Sequence, residues 1–156
     1  MEPIIVEPVS LNTAMGQVAG IAAVAMAAIG SALGTGVAAC AAIGAWKKCY
    51  AQGKAAPFML LTFVGAPLSQ TIYGIVLMFS MKEKVAAGYP WQGLLVAGLL
   101  AGLGMGISAW LQGCAGAAGS DALAETGEGF TNYLAALGII ETVAIFVMVF
   151  SMLALG

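Results

Sequence analysis

Charge is scarce in this sequence, and arginine and histidine are absent altogether. Charged residues make up 8% of the 156 residues, hydrophobic residues make up 62%, and the mean hydropathy is +1.01. A water-soluble domain carries about a quarter charged residues, because its surface must be hydrated. The composition therefore excludes a water-soluble enzyme. The net charge of −2, without any arginine, also gives no support to nucleic-acid binding.

The few charges leave long uncharged stretches between them. Residues 8–46, 55–81 and 85–120 contain no Asp, Glu, Lys or Arg, and residues 129–156 contain a single acid, Glu141. A helix of about 20 apolar residues crosses the roughly 30 Å of hydrocarbon in a bilayer. The sequence therefore predicts an all-α, multi-pass protein of the cell membrane with four transmembrane helices.

Polar segments at 46–54, 82–90 and 121–128 are predicted to connect the four spans. None of them is long enough to form a separate domain. The expected layout is two helical hairpins, with a short N-terminal tail and the first hairpin in residues 1–84 and the second hairpin in residues 85–156.

The two hairpins resemble copies of one another. A shift of 71 residues aligns Phe79-Ser80-Met81 with Phe150-Ser151-Met152 and places Gln70 on Glu141. Spans one and three share many Gly and Ala residues at three- and four-residue spacing, which lets helices approach closely in lipid. We therefore expect a closed homo-oligomeric ring in which the small-residue spans pack inside and the bulky spans two and four face lipid. The alternative is a single, monomeric four-helix bundle.

One carboxylate, Glu141, lies near the middle of span four. On insertion scales a charged side chain at that depth costs about 2.5–3.5 kcal/mol, and such residues usually mark ion or proton pathways. The alternative is structural, namely a protonated Glu141 that donates one interhelical hydrogen bond. The sequence favours an ion pathway.

Span two carries polar groups at the depth of this acid. Ala66, Ser69, Gln70 and Tyr73 are spaced at i, i+3, i+4 and i+7, so they share one helical face. Pro67 has no N–H, so one carbonyl of the preceding turn loses its helical partner and can turn toward a ligand. This face therefore offers a carbonyl, a hydroxyl, an amide and a phenol.

Gln112 in span three adds a further amide to this set. A hard cation such as Na⁺ takes several oxygen ligands, whereas a proton needs the carboxylate and one hydrogen-bond partner. The surplus of neutral oxygens favours Na⁺, with H⁺ as the alternative, and Tyr73 is expected to bond Glu141 rather than the ion. The structural alternative is that Gln70 and Gln112 hold helices together, at roughly 0.6 kcal/mol per bond.

Essentially the whole chain resembles the proteolipid (K, or c) subunit of V-type and A-type rotary ATPases. The resemblance rests on the duplicated hairpin, on the sequence Ile-Gly-Ser-Ala-Leu-Gly-Thr-Gly at 29–36, and on the single acid of span four. The chain is most similar to the sodium-translocating bacterial branch. There a Pro-x-(Ser/Thr)-Gln-x-x-Tyr-Gly stretch, here 67–74, faces the glutamate, and a glutamine of span three completes the site.

The resemblance implies an ion-binding site and a supporting hydrogen bond from Tyr73 to the glutamate. Ser69 stands where that branch has threonine, and the bulky Trp110 and Leu111 depart from an otherwise small-residue helix. The implied ion ligands are Glu141, Gln70, Gln112, Ser69 and the carbonyl of Ala66.

The resemblance also implies a non-catalytic protein, with ATP hydrolysis on other subunits. Identical copies would form a ring in the lipid bilayer that turns against a static membrane subunit supplying a basic residue, and a central-stalk subunit would couple the ring to hydrolysis. Three alternatives remain. One is a proton-carrying ring of the same family, the second is a small secondary transporter with Glu141 as its proton relay, and the third is a purely structural bundle.

Overall fold

The computed structural model describes residues 9–156, and the first eight residues of the N-terminal tail lie outside the described range. The described chain contains four helices long and apolar enough to cross a membrane, which confirms the predicted all-α, multi-pass membrane protein. The second of them is interrupted by a short 3₁₀ turn. In chain order the elements are α1 (Leu11–Ala51), α2 (Leu60–Gly65), the 3₁₀ turn Ala66–Leu68, α3 (Ser69–Ala86), α4 (Trp91–Thr126) and α5 (Phe130–Ala154).

The helices continue beyond the apolar stretches into segments that were predicted to be connections. α1 extends through Lys48, and α4 extends through Glu125, whose carboxylate pairs with the Lys48 ammonium. Charged residues can continue a helix once it leaves the hydrocarbon, so a polar segment marks the membrane boundary rather than the end of the helix. The connections are correspondingly shorter, at 52–59, 87–90 and 127–129.

Two glycines make the three-residue connection between α4 and α5 possible. Gly127 has a φ of 73° and Gly129 has a φ of 87°, in the left-handed region that other residues rarely adopt. The Gly127 N–H also bonds the Leu123 carbonyl at 2.8 Å, which closes the last turn of α4. α4 and α5 therefore form a tight antiparallel hairpin.

α1 and α4 run parallel, and their backbones approach closely through glycine. A Cβ on Gly30 would overlap the Gly106 backbone, and a Cβ on Gly34 would overlap the Ala109 carbonyl. Only glycine allows this approach, and close backbone packing is how helices gain contact in lipid. The close backbone approach that the Gly and Ala spacing favours is thus present between α1 and α4.

α5 contributes little to the interior of the protomer. Of its residues, Leu137 and Ala144 are buried, whereas Ile139, Phe146 and Phe150 are exposed by more than half of their surface. α3 likewise exposes several bulky residues. These surfaces are those expected of helices that face lipid or a neighbouring subunit.

The two hairpins share one interior. Ala23, Leu77, Met105 and Ala144 belong to a single hydrophobic cluster, and each of them comes from a different long helix. Asn12 adds a polar connection, because its Nδ2 donates to the Tyr89 carbonyl and its Oδ1 accepts from the Trp91 N–H, both at 3.0 Å. Since Trp91 begins α4, its N–H has no helical acceptor, and Asn12 supplies one from another helix.

Candidate ion-binding site

Glu141 lies within α5 and is half-buried, and both of its carboxylate oxygens face hydrogen-bond donors. The Tyr73 hydroxyl donates to Oε1 at 2.5 Å, and the Gln112 Nε2 donates to Oε2 at 3.3 Å. The donors come from α3 and α4, so three helices meet at the carboxylate. The hydrogen bond between Tyr73 and Glu141 is the one expected from the sequence.

Two glutamines extend this network into the interior of the protomer. Gln70 and Gln112 are both fully buried, and the Gln70 Nε2 donates to the Gln112 Oε1 at 2.8 Å. The Gln112 Nε2 also donates to the Leu137 carbonyl at 3.0 Å, one helical turn before Glu141. Because its nitrogen is bound to α5, the Gln112 side-chain oxygen is directed toward Gln70.

The remaining predicted ligands lie where the helix of span two is interrupted at Pro67. The Ser69 Oγ lies 3.0 Å from the Ala66 carbonyl oxygen and 3.2 Å from the Gln70 Oε1, and it can donate to either of them. A serine hydroxyl has a single hydrogen, so it satisfies one of these oxygens at a time. The interruption therefore gathers a carbonyl, a hydroxyl and an amide oxygen in one place.

All the residues that the sequence singles out for this site are connected by hydrogen bonds in one network. Trp110 and Leu111, the bulky residues before Gln112, are 47% and 52% exposed and point away from the network. They therefore do not displace Gln112 from the site. The connected residues are Ala66, Ser69, Gln70, Tyr73, Gln112 and Glu141.

Sequence reasoning missed one side chain that fixes the geometry. The Ser108 Oγ donates to the Ile140 carbonyl at 2.9 Å, so α4 is bound to α5 both here and at Leu137. Ser108 precedes Gln112 by four residues and thus lies on the same face of α4. The four-residue spacing from Gln112 was the one sequence signal for Ser108. A serine in a membrane helix is too common for this spacing to indicate a role.

The charge balance of the site decides what it can hold. The chain has no arginine or histidine, and its five lysines lie in the polar segments near the helix ends. An ionised carboxylate at membrane depth is costly unless it is neutralised. Glu141 must therefore carry a proton or bind a cation from outside the chain, and the neutral oxygens beside it can coordinate a cation.

Residues 95–154 match the family of the C subunit of ATP synthase. The matched stretch contains most of α4 and all of α5, including Gln112 and Glu141, whereas the first hairpin lies outside it. The match supports the proteolipid family, whose members are non-catalytic, ion-translocating subunits of rotor rings. It agrees with the expectation of a protein that does not itself hydrolyse ATP. No curated protein gives a significant match to the chain.

Proposed function

We propose that this chain, whose second hairpin matches the C subunit of ATP synthase, is the rotor-ring subunit of a V-type or A-type ATPase and carries Na⁺ on Glu141. The observation that carries the proposal is the network around Glu141, in which the Gln112 amide links the carboxylate to a chain of hydrogen-bonded groups that holds four neutral oxygens from α3, α4 and the 3₁₀ turn.

The assignment to the V-type or A-type branch rests on the duplicated hairpin. Gln70 occupies in the first hairpin the place that Glu141 occupies in the second, at the shift of 71 residues. The chain thus has one membrane carboxylate for four helices. A ring of such subunits moves fewer ions per turn than a ring of single hairpins, which suits pumping against a steep gradient.

The choice of Na⁺ rests on the number and type of oxygens. The proposed ligands are the Ala66 carbonyl, the Ser69 hydroxyl, the side-chain oxygens of Gln70 and Gln112, and the Glu141 carboxylate. Hard cations bind such oxygens. The Ser69 Oγ already lies 3.0 Å from the Ala66 carbonyl oxygen and 3.2 Å from the Gln70 Oε1. Small rotations of these side chains exchange their mutual hydrogen bonds for contacts with the ion.

The cation neutralises Glu141 while the subunit faces lipid. Release requires an aqueous path and a competing positive charge at the interface with a static membrane subunit. This chain has no arginine or histidine, and its five lysines lie in the polar segments near the helix ends, so the static subunit would supply the basic residue. A central-stalk subunit would transmit the torque between the ring and the ATP-hydrolysing subunits.

A proton-carrying ring is the second candidate, and one observation favours it. A proton requires only the carboxylate and one hydrogen-bond partner, and the Tyr73 hydroxyl, 2.5 Å from Oε1, is such a partner. A single proton would complete the neutral state. Protection of Glu141 from a carbodiimide by Na⁺ distinguishes the two candidates.

A small secondary transporter remains the alternative from another class, and the native mass of the detergent-extracted protein tests it. A rotor ring gives one stable species of many copies, whereas a transporter of this kind gives a monomer or small oligomer. A mass of one or two chains under conditions that keep the protein folded would overturn the ring.

A further inference from the structure

Two hydroxyl groups of α1 are buried without a hydrogen-bond partner. Within residues 9–156, the Ser31 Oγ and the Thr35 Oγ1 are the buried side-chain N or O atoms for which the structure provides neither donor nor acceptor. Ser31 is 2% exposed. The two residues are four positions apart, so their side chains lie on one face of α1.

Other helical hydroxyls of this protein are satisfied by the carbonyls of their own helix. Ser120 donates to Gly116 at 2.9 Å, and Thr142 donates to Ile139 at 2.7 Å. The backbone carbonyls of Ala27 and Ser31 lie one turn before Ser31 and Thr35 respectively, but neither hydroxyl bonds to its carbonyl. These two hydroxyls are thus directed away from their own backbone.

Ser31 lies on α1 between two close contacts with span two. On one side, a Cβ added to Gly74 would lie 3.2 Å from the Ala27 Cβ; on the other, a Cβ added to Gly34 would lie 3.0 Å from the Pro67 Cβ. Ser31 is therefore level with the segment between Pro67 and Gly74. That segment carries two of the proposed ion ligands.

The interruption of the helix at Pro67 provides a backbone carbonyl acceptor in span two, which packs against α1. Proline has no N–H, so the Phe63 carbonyl, four residues earlier, lacks its helical donor. In membrane helices such carbonyls are satisfied by neighbouring side chains or by ordered water. The Phe63 carbonyl lies against Gly116 of α4, and Pro67 packs against Gly34, the residue before Thr35. The two hydroxyls of α1 are therefore level with the turn that has lost this donor.

We propose that Ser31 and Thr35 bind a buried water molecule that bridges α1 to the interrupted helix at Pro67. A water molecule donates two hydrogen bonds and accepts two, so it can satisfy both hydroxyls and still reach a backbone carbonyl. A second cation at this position is disfavoured, because the two hydroxyls are neutral. The water would hold the 66–70 segment in place against α1.

The first test removes each hydroxyl with little change in shape. Ser31→Ala and Thr35→Val in the full-length, detergent-extracted protein are each expected to lower the thermal unfolding midpoint by about 2–4 °C, because the bridge loses a partner. Ser120→Ala is the matched control, since its hydroxyl bonds its own helix, and it should shift the midpoint less. Midpoints that rise or stay unchanged in both variants would overturn the proposal, since removal of an unpaired buried hydroxyl has that effect.

The second test observes the water directly in an experimental structure of the assembled protein at a resolution that shows ordered solvent. A density peak within hydrogen-bond distance of the Ser31 and Thr35 hydroxyls is expected. Hydroxyls rotated onto the Ala27 and Ser31 carbonyls, with no peak between them, would overturn the proposal. Neither test depends on the transported ion, so failure here leaves the function proposed for Glu141 unaffected.

Discussion

Gln70 donates a hydrogen bond from its amide nitrogen to the side-chain oxygen of Gln112 at 2.8 Å, and neither side chain has exposed surface. Gln70 belongs to the first hairpin and Gln112 to the second, so this bond joins the two halves of the duplicated chain. Removal of Gln70 leaves the Gln112 Oε1 without its donor, and removal of Gln112 leaves the Gln70 Nε2 without its acceptor. A buried unpaired polar group costs about 1–3 kcal/mol.

Replacement of Gln70 tests its part in ion binding. Gln70→Leu removes one proposed ligand and the donor to the Gln112 Oε1. The Na⁺ concentration that half-protects Glu141 from carbodiimide should therefore rise about tenfold or more, the equivalent of about 1.4 kcal/mol. Gln17→Leu makes the same substitution at an exposed position of α1 and should leave protection unchanged. Equal protection in the two variants would mean that Gln70 only holds helices together.

Replacement of Tyr73 tests the hydrogen bond to Glu141. Tyr73→Phe removes the 2.5 Å bond to the carboxylate, and bonds to charged groups contribute about 1.5–3 kcal/mol. We expect faster carbodiimide modification of Glu141 in the absence of Na⁺, together with weaker protection by Na⁺. Tyr133→Phe is the control, because Tyr133 packs edge-on against Phe63, away from Glu141. Modification rates that do not differ between the two variants would contradict this role.

Glycine replacements test the close packing of α1 against α4. Gly34→Ala places a Cβ against the Ala109 carbonyl, whereas a Cβ on Gly36, two residues later, would project into open space. Gly34→Ala should therefore lower the unfolding midpoint by several degrees or prevent folding, while Gly36→Ala should be close to neutral. Folding yield and the thermal midpoint in detergent measure both effects. A Gly34→Ala variant as stable as Gly36→Ala would refute the packing.

Asn12 is predicted to protect the start of α4. Asn12→Ala removes the acceptor for the Trp91 N–H and the donor to the Tyr89 carbonyl, so the Trp91 amide should exchange its hydrogen faster. Asn12→Asp keeps the acceptor and should preserve more of the protection. Asn132→Ala, at an exposed position of α5, is the control. Unchanged exchange at Trp91 in Asn12→Ala would show that the contact does not persist in solution.

Much of this fold was predictable because apolar length alone determines membrane crossing. The four spans followed from uncharged stretches, and the shared face of Ala66, Ser69, Gln70 and Tyr73 followed from helical spacing. The ends of the helices did not follow. Lys48 continues α1 and Glu125 continues α4, and the two side chains pair with one another. This contact requires knowledge of the packing.

The finer geometry of the site was less accessible from the sequence. Ser108 of α4 bonds a carbonyl of α5, and the Leu137 carbonyl of α5 bonds a side chain of α4. The Leu137 carbonyl is a backbone group, so the identity of the residue does not indicate its role. Similarly, the unpaired state of Ser31 and Thr35 depends on which way each hydroxyl rotates. Such orientations arise from the neighbouring helices, and a single sequence with Gly and Ala on nearly every face does not specify them.

Binding of Na⁺ by Glu141 can be measured through the rate at which a carbodiimide modifies this residue at constant pH and ionic strength. The full-length protein should react more slowly as Na⁺ replaces choline, with K⁺ protecting much less, and Glu141→Gln should not react at this position. Saturable protection by Na⁺ is the predicted result. A modification rate that depends on pH but not on Na⁺ would contradict the account and leave a proton as the transported ion.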